Sequence, residues 1–298
     1  MTAAPLSFEE LFDPDLLART GALALRVAAA QKGGRLADQR TSARGQGSDF
    51  ADFKPYVAGD DLRMIDWNIY RRLGKAFVRV FEERQDLPLY LMVDVSGSML
   101  AEAPPRLHAA MRAALALAAI ALEHHDSVTL LPFAQEVSTP LRAVSGRAAI
   151  ARVARALADS PVGGATRLAE AVEQVTRRGL RRGLLVVVSD FFDARGLDAV
   201  IAALTRVPHR MLLVQMTMAH DGDPALSGDV MIEDGEGGTI DLTATPALVE
   251  RYREAYRAFC ARLTGLADSR GAGLLRIDAQ HDVLDQIAPW LLTQRVTL

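Results

Sequence analysis

The chain has 298 residues, of which 50% are hydrophobic, so it can build one large hydrophobic core or two modest ones. Its formal net charge of -3 argues against a dedicated nucleic-acid-binding protein, which needs a basic face. The single cysteine, Cys260, cannot form an internal disulfide, which is typical of a reduced, cytoplasmic setting. The longest apolar run, Ala113 to Leu122, is about half of what a bilayer span requires, so we expect no membrane insertion.

The first predicted element is a helix, and a long polar segment follows it. The helix is expected from Leu16 to Gln31, because Pro14 suits a first helical turn. The segment from Arg35 to about Glu83 is rich in Gly, Asp and Arg and is too long for a plain connection, which makes it either functional or a surface layer. Within it, Phe77 to Glu83 alternates as a strand does.

From Leu87 onwards strands and helices alternate, which predicts a mostly parallel sheet covered by helices on both faces. Leu87 to Val95 is an almost continuous apolar run, typical of a strand that is buried on both faces. The other predicted strands are Ser127 to Phe133, Glu136 to Leu141, Leu184 to Val188, Met211 to Thr217 and Gly273 to Ile277, with a hairpin from Asp229 to Thr243 that turns at Gly235 to Gly238. The predicted helices are Arg106 to Glu123, Arg147 to Ala158, Arg167 to Arg178, Leu197 to Thr205, Pro246 to Leu266 and Val283 to Leu292.

Polar side chains are predicted at the carboxyl ends of these strands, where open parallel sheets bind their ligands. Asp94, Ser96 and Ser98 follow the first buried strand, and Asp190 follows a later one. Between them, Thr166 enters a helix after two glycines. Two carboxylates and three hydroxyls suit a hard cation, with Mg²⁺ first and Mn²⁺ or Ca²⁺ as alternatives. Because neutral hydroxyls are weak ligands, such an ion would retain Lewis acidity and could take a further carboxylate from outside.

This arrangement of residues resembles the metal-ion-dependent adhesion site of von Willebrand factor type A domains. The resemblance implies that Ser96 and Ser98 ligate the ion directly through their hydroxyls, and that Thr166 does so directly or through water. It implies that Asp94 and Asp190 act mostly through water and orient the hydroxyls. The open position would take a Glu or Asp of a partner protein. The plainer alternative is that Asp94 and Ser96 cap the following helix, which does not explain Thr166 and Asp190.

Three motifs further upstream resemble those of a bacterial family called domain of unknown function 58. They are Gly45 to Phe50, Tyr56 to Trp67 with its Gly-Asp-Asp and Ile-Asp-Trp elements, and Phe81 to Arg84. The resemblance covers about Arg44 to Leu292. It implies a type A domain, and it implies a MoxR-type AAA+ ATPase as a partner, because genes of the family commonly neighbour those of such ATPases. Many members carry transmembrane helices near the N-terminus, and none is predicted here.

The carboxylates of Asp60, Asp61 and Asp66 are dense enough to repel one another unless a cation or an arginine intervenes. A second metal site is one interpretation. The favoured one is a set of salt bridges to nearby arginines, with Trp67 packed under the sheet. The candidate arginines are Arg63, Arg71 and Arg72.

Together these features predict an α/β protein in two parts. Residues 1–85 form an N-terminal family-signature segment, and residues 86–298 form a three-layer, Rossmann-like type A domain with a mostly parallel sheet. The predicted function is a metal-dependent protein–protein interaction module rather than an enzyme, working as an adaptor of a MoxR-type ATPase in the assembly or maturation of a complex. The alternative is a magnesium-dependent phosphatase or phosphotransferase with Asp94 as the nucleophile. That chemistry usually needs a second Asp two residues on, where this chain has Ser96.

Overall fold

The computed structural model describes residues 4–33, 44–82, 87–233 and 238–293. The chain divides into two compact units, a large one of residues 1–31 with 87–298 and a small one of residues 32–86. The N-terminal helices α1 (Phe8–Leu11) and α2 (Pro14–Gly33) begin the chain. They group with the large unit, and not with the segment up to residue 85 as predicted, because Leu11, Leu23 and Val27 are buried in the core beside the central sheet.

The small unit is built on a two-stranded antiparallel sheet. Strand β1 (Arg44–Pro55) pairs with β2 (Phe77–Glu82), and the short helix α3 (Trp67–Leu73) lies in the connection between them. The predicted strand at Phe77 is confirmed. Strand β1 lies in the polar segment rich in Gly, Asp and Arg and was not predicted, because its sequence lacks an apolar-polar alternation. Its pairing with β2 shifts register twice.

The large unit contains a six-stranded sheet and a separate hairpin. Its strands are β3 (Leu89–Asp94), β4 (Val128–Phe133), β5 (Leu141–Val144), β6 (Leu184–Ser189), β7 (Arg210–Thr217), β8 (Gly228–Glu233), β9 (Thr239–Ala244) and β10 (Gly273–Asp278). The order in the sheet is β10-β7-β6-β3-β4-β5, in which only the edge pair β4-β5 is antiparallel. Strands β8 and β9 form the predicted hairpin, whose turn lies outside the described residues except for Gly238.

One predicted strand is wrong, since Glu136 to Leu141 does not form the edge of the sheet. There, Phe133 and Val137 make an isolated bridge, and the Ser138 amide turns back to donate to the carbonyl oxygen of Pro132 at 3.0 Å. Pro140 has no amide hydrogen to give to a ladder. The edge strand therefore begins at Leu141, which pairs with Leu130 of β4, and the pairing then shifts register before Val144 meets Val128.

Helices cover both faces of this sheet. They are α4 (Arg106–Glu123), α5 (Ile150–Ala158), α6 (Leu168–Arg177), α7 (Leu197–Thr205), α8 (Ala219–Gly222), α9 (Pro246–Arg270) and α10 (Val283–Thr293). Along β3, Leu91 and Val93 pack into one hydrophobic cluster with α2, α4, α5 and α10, whereas Tyr90 and Met92 pack into another with α6, α7 and α9. This three-layer α/β arrangement confirms the predicted fold class. In the part of the chain that the structure describes, no helix combines the length and apolarity that a membrane crossing needs.

Candidate metal centre

Three loops meet at the carboxyl edge of the central sheet. Strand β3 ends at Asp94, and its loop leads into a short 3-10 turn, Ser98–Leu100. The neighbouring strand β6 ends at Ser189, and Asp190 follows it. Thr166 lies in the loop that leads into α6. Parallel neighbours end at the same edge, so the sheet itself brings these distant parts of the sequence together.

The hydroxyl oxygens of Ser96, Ser98 and Thr166 form a triangle. Ser96 Oγ lies 3.1 Å from Ser98 Oγ, Ser98 Oγ lies 3.2 Å from Thr166 Oγ1, and Thr166 Oγ1 lies 2.8 Å from Ser96 Oγ. Ser96 and Thr166 are buried, and Ser98 is half-buried. The triangle therefore reaches solvent on the side of Ser98.

This triangle has the size of one face of an octahedral magnesium shell. Ligand oxygens at about 2.0–2.1 Å from Mg²⁺ are about 2.8–3.0 Å apart when they occupy adjacent corners of an octahedron. The observed edges, 2.8, 3.1 and 3.2 Å, lie close to the magnesium range. The donor set of neutral hydroxyls with carboxylates behind them thus fits a small, hard cation.

The two carboxylates stand behind the hydroxyls and are held in place. Asp94 is fully buried, and its Oδ1 accepts a hydrogen bond from the Ser96 amide at 3.0 Å while its Oδ2 accepts one from Ser189 Oγ at 2.6 Å. Asp190 is 3% exposed; its Oδ1 accepts from the Phe192 amide at 2.9 Å, and its Oδ2 accepts from Ser98 Oγ at 3.4 Å. Every one of the five residues predicted for this site is therefore joined to another by a hydrogen bond.

Burial, together with the negative charge of Asp94, raises the pKa of Asp190 to about 7. Two carboxylates that share a desolvated place oppose each other's ionisation. A bound cation has the opposite effect, because it favours the charged form of every nearby carboxylate. The electrostatics of this edge of the sheet are thus those of a place that gains from a positive charge.

Glycines fix the loop that carries Thr166. Gly163 and Gly164 have φ of +121° and +83°, in the region that side chains avoid. The Gly163 amide donates to the Val95 carbonyl oxygen at 2.8 Å, and the Gly97 amide donates to the Gly164 carbonyl oxygen at 2.9 Å. These two bonds join the loop that carries Thr166 to the loop that carries Ser96 and Ser98. The two glycines that precede Thr166 in the sequence are therefore part of the geometry of the site.

Sequence reasoning missed a buried ion-pair network next to this site. The guanidinium of Arg106, the first residue of α4, pairs with both carboxylate oxygens of Asp221 and with Glu102 at 2.9 Å. Asp221 also accepts a hydrogen bond from the Met218 amide at 2.8 Å. His220 lies 3.2 Å from Glu102. Arg106 and Asp221 are 115 residues apart, so no local sequence pattern predicts that they pair.

The acidic part of this network also resembles a metal site, since ligand atoms of Glu102, His220 and Asp221 lie within 4.8 Å of one another. Arg106 already supplies the positive charge. Burial lowers the pKa of Arg106, but hydrogen bonds and charge from Glu102 and Asp221 outweigh it, so the pKa lies above its ordinary value. We therefore assign the cluster a structural role, which is to tie the start of α4 to the short helix α8 that follows β7.

A row of aromatic rings adjoins the Asp190 loop. Phe192 stacks on Phe259 with ring centroids 5.0 Å apart, and the row continues along α9 through Tyr256 at 6.2 Å and Tyr252 at a further 6.5 Å. Phe192 and Tyr252 are exposed at its two ends. The row offers an apolar surface close to the hydroxyl triangle.

In the small unit, the predicted salt bridges form with other partners. Asp60 pairs with Lys54 at 2.6 Å, and Asp66 pairs with Arg79 at 2.7 Å. Arg79 reaches Asp66 because the Asp66 amide donates to the Phe77 carbonyl oxygen, which places β2 beside the start of α3. Trp67 is 60% exposed and does not pack under the sheet. Among the described residues, neither Asp60 nor Asp66 pairs with the predicted arginines Arg63, Arg71 and Arg72.

Comparison with known proteins gives one family and a set of distant structural likenesses. The model of the family described as protein of unknown function DUF58 matches residues 52–262. Uncharacterized proteins of Mycobacterium bovis and Mycobacterium tuberculosis are each 26% identical over 296 residues, covering 96% of this chain and 92% of the relative.

The similar solved structures include the conserved hypothetical protein BatB of Bacteroides thetaiotaomicron, which is 18% identical and covers 70% of this chain and 98% of its own, with a TM-score of 0.40. The ArnB paralog VWA2 of Sulfolobus acidocaldarius is 13% identical over 71% of this chain and 46% of its own, with a TM-score of 0.39. Manganese-loaded TRAP protein of Plasmodium vivax is 14% identical over 69% of this chain and 73% of its own, with a TM-score of 0.33. Identities this low concern the fold alone.

Proposed function

This chain belongs to the protein of unknown function DUF58 family, as its motifs predicted, and we propose that its large unit is a metal-dependent protein-binding module. The site is the edge of the sheet that carries Asp94, Ser96, Ser98, Thr166 and Asp190. One observation carries the proposal: three hydroxyl oxygens form a triangle with edges of 2.8–3.2 Å in front of two buried carboxylates.

The residues would divide the work between direct and indirect roles. Ser96, Ser98 and Thr166 would hold the ion, Mg²⁺ first with Mn²⁺ or Ca²⁺ as alternatives. Asp94 and Asp190 would stand behind them and fix their orientation through the hydrogen bonds described above. When bound, the ion would supply a Lewis-acidic centre, which accepts a carboxylate from outside. The half-buried position of Ser98 supports an approach from solvent on that side.

The occupant of that open position would be an Asp or Glu side chain of a partner protein. The aromatic row from Phe192 to Tyr252 offers apolar contacts to the residues that flank it. For the identity of the partner, the family resemblance supports a MoxR-type AAA+ ATPase, with this chain acting as its adaptor in the assembly or maturation of a complex. A cytoplasmic location is part of the same proposal.

We prefer a binding role to catalysis because of the state of Asp94. A phosphatase of the kind considered above needs this carboxylate as a nucleophile with a free oxygen facing the substrate. Here Oδ1 accepts from the Ser96 amide, Oδ2 accepts from Ser189 Oγ, and the residue is fully buried. The carboxylate is thus arranged to position its neighbours rather than to attack.

The test is retention of partner proteins from the native cytosol on the immobilised full chain, with Mg²⁺, with EDTA, and with Ser96→Ala. Ser160→Ala is the matched control, because Ser160 is also a buried serine but its Oγ bonds to the Ala156 carbonyl oxygen within α5. We expect an AAA+ ATPase to be retained by the wild type and the control in Mg²⁺ only. Retention of a different protein that also requires Mg²⁺ and Ser96 would support the binding module but contradict an AAA+ ATPase as its partner. Partners that survive both EDTA and Ser96→Ala would overturn the proposal.

A further inference from the structure

The small unit exposes four large apolar side chains around α3. Leu62, Trp67, Tyr70 and Leu73 are 59%, 60%, 45% and 65% exposed, respectively. Trp67, Tyr70 and Leu73 follow one another at three-residue spacing, which places them along one side of the helix. The rings of Trp67 and Tyr70 meet edge to face at 6.0 Å. Single exposed apolar residues are ordinary, but three on one side of a short helix, with Leu62 in the turn just before it, are typical of an interaction surface.

Four exposed cations lie among these apolar side chains in the sequence. They are Arg63, Arg71, Arg72 and Lys75. In the described parts of the chain, none of the four forms an ion pair with a carboxylate. Residues 53–79 carry six cations and three carboxylates, although the whole chain has a net charge of -3. This stretch of the small unit is thus locally basic.

The three carboxylates of this region are engaged in internal contacts. Asp60 binds Lys54 and the Val57 amide. Asp66 caps the first turn of α3 and pairs with Arg79. Asp61 accepts from the Arg63 amide and caps the 3-10 turn that carries Leu62. The Gly-Asp-Asp and Ile-Asp-Trp motifs therefore build a scaffold, and among the residues that the structure describes no carboxylate is paired with Arg71 or Arg72 of α3.

We propose that this α3 face, meaning the four apolar side chains and the four cations just described, binds an acidic segment of a partner protein. Its composition is that of binding hot spots, in which Trp, Tyr and Arg predominate. The free cations select negative charge, and the apolar side chains select Leu or aromatic residues between the acids. This docking site belongs to the small unit, whereas the hydroxyl triangle belongs to the large one, and it needs no metal.

A protein fits this face better than a lipid surface or a nucleic acid does. Helix α3 has seven residues, too few to lie in a membrane interface as amphipathic helices do. The net negative charge of the chain opposes a long polyanion. A short acidic peptide segment needs neither a long amphipathic helix nor a positive charge over the whole chain, because it contacts only the cations around α3.

The experiment is selection from a random phage-displayed dodecapeptide library on the full-length chain, in EDTA so that no metal site contributes. The same library is applied to Arg71→Glu/Arg72→Glu, to Trp67→Ser, and to the control Arg142→Glu/Arg206→Glu, which reverses two exposed charges of the large unit. Circular dichroism and thermal unfolding establish that each variant folds. We expect peptides rich in Asp, Glu and aromatic residues on the wild type and the control. Resynthesised peptides should bind at least tenfold more weakly to each α3 variant.

Three other outcomes would overturn the inference. The first is a set of peptides without acidic enrichment, or with equal affinity for wild type and α3 variants. The second is binding of phosphatidylserine vesicles or of a single-stranded oligonucleotide that Arg71→Glu/Arg72→Glu abolishes, which would assign the face to a membrane or a nucleic acid. The third is self-association of the wild type in sedimentation that the same variant abolishes, which would make a second copy the occupant. The peptide selection is independent of the proposed metal site, so the effect of Ser96→Ala on metal-dependent binding does not change its interpretation.

Discussion

Ser189 donates a hydrogen bond from Oγ to Oδ2 of Asp94 at 2.6 Å, and so links the ends of two neighbouring parallel strands inside the core. The same Oγ accepts from the Phe191 amide at 3.0 Å. Phe191 has a left-handed backbone, with φ of 64°, at the turn that follows Asp190. Ser189 thus positions the Asp94 carboxylate and holds the turn after Asp190, although it is not one of the predicted ligands.

Ser189→Ala should therefore weaken metal binding through Asp94. It leaves a buried carboxylate oxygen without this donor, which should cost about 1–3 kcal/mol in the free energy of unfolding. We expect a lower affinity for Mg²⁺ in isothermal titration calorimetry as well. The matched control Ser160→Ala removes a buried serine hydrogen bond to the Ala156 carbonyl oxygen, outside the five residues of the site, and should leave Mg²⁺ affinity unchanged. Equal effects of the two variants on Mg²⁺ would contradict this role for Ser189.

The donor set at the hydroxyl triangle predicts a preference among cations. Three hydroxyls completed by water suit Mg²⁺, which usually keeps several waters, whereas Ca²⁺ takes about six to eight oxygen ligands, mostly carboxylates and carbonyls. We expect Mg²⁺ to raise the midpoint of thermal unfolding at lower concentration than Ca²⁺ does, because stabilisation grows with the ratio of ligand concentration to Kd. The shift should vanish in Ser96→Ala. A stronger shift with Ca²⁺ than with Mg²⁺ would show that the triangle does not set the selectivity.

Arg106→Ala should destabilise the large unit strongly. Removing it leaves Asp221 and Glu102 without their shared cation in a buried place, and breaking a buried pair in this way costs about 3–5 kcal/mol. Arg106→Lys should fall between wild type and Ala, because an ammonium cannot bond to both carboxylates through a planar fork. The exposed pair of Arg262 with Asp198 is the control, and Arg262→Ala should cost less than about 1 kcal/mol. Urea unfolding measures all three; similar losses for Arg106→Ala and Arg262→Ala would refute the assignment.

The pair of Asp66 with Arg79 predicts a pH dependence in the small unit. Hydrogen bonds from Arg79 and from the amide of Ile69 hold the pKa of Asp66 below its ordinary value of 3.8. Because the folded-state pKa is lowered, the pair contributes stability above the ordinary value and loses it as the pH falls through the folded-state value. A carbon-detected NMR titration of Asp66 should give a low pKa that rises in Arg79→Ala. An Asp66 carboxyl that titrates identically in both proteins would argue against the pair.

Much of the large unit followed from local pattern in the sequence. Apolar runs such as Leu87 to Val95 predicted buried parallel strands, and parallel strands place Asp94 and Asp190 at one edge whatever the loops do. The hydrogen bonds and ion pairs around the site could not be predicted from local sequence pattern. The link from Ser189 to Asp94 depends on which strands are neighbours, and the contact of Arg106 with Asp221 joins residues 115 positions apart.

The small unit was predicted less well for a related reason. The sequence of strand β1 is polar and shows no apolar-polar periodicity that would predict a strand. Its pairing is also irregular in register. Asp66 was expected to pair with Arg63, Arg71 or Arg72, but β2 brings Arg79 closer. Tertiary pairing, which the sequence does not display locally, decided each of these contacts.

The most direct measurement of the central claim is anomalous diffraction from crystals of the full chain grown with Mn²⁺. We predict a manganese peak in contact with the hydroxyl oxygens of Ser96 and Ser98, with Asp94 and Asp190 close behind, and no such peak in Ser96→Ala. A peak at Glu102, His220 and Asp221 instead, or no peak at saturating Mn²⁺, would contradict a metal-dependent binding site at this edge of the sheet.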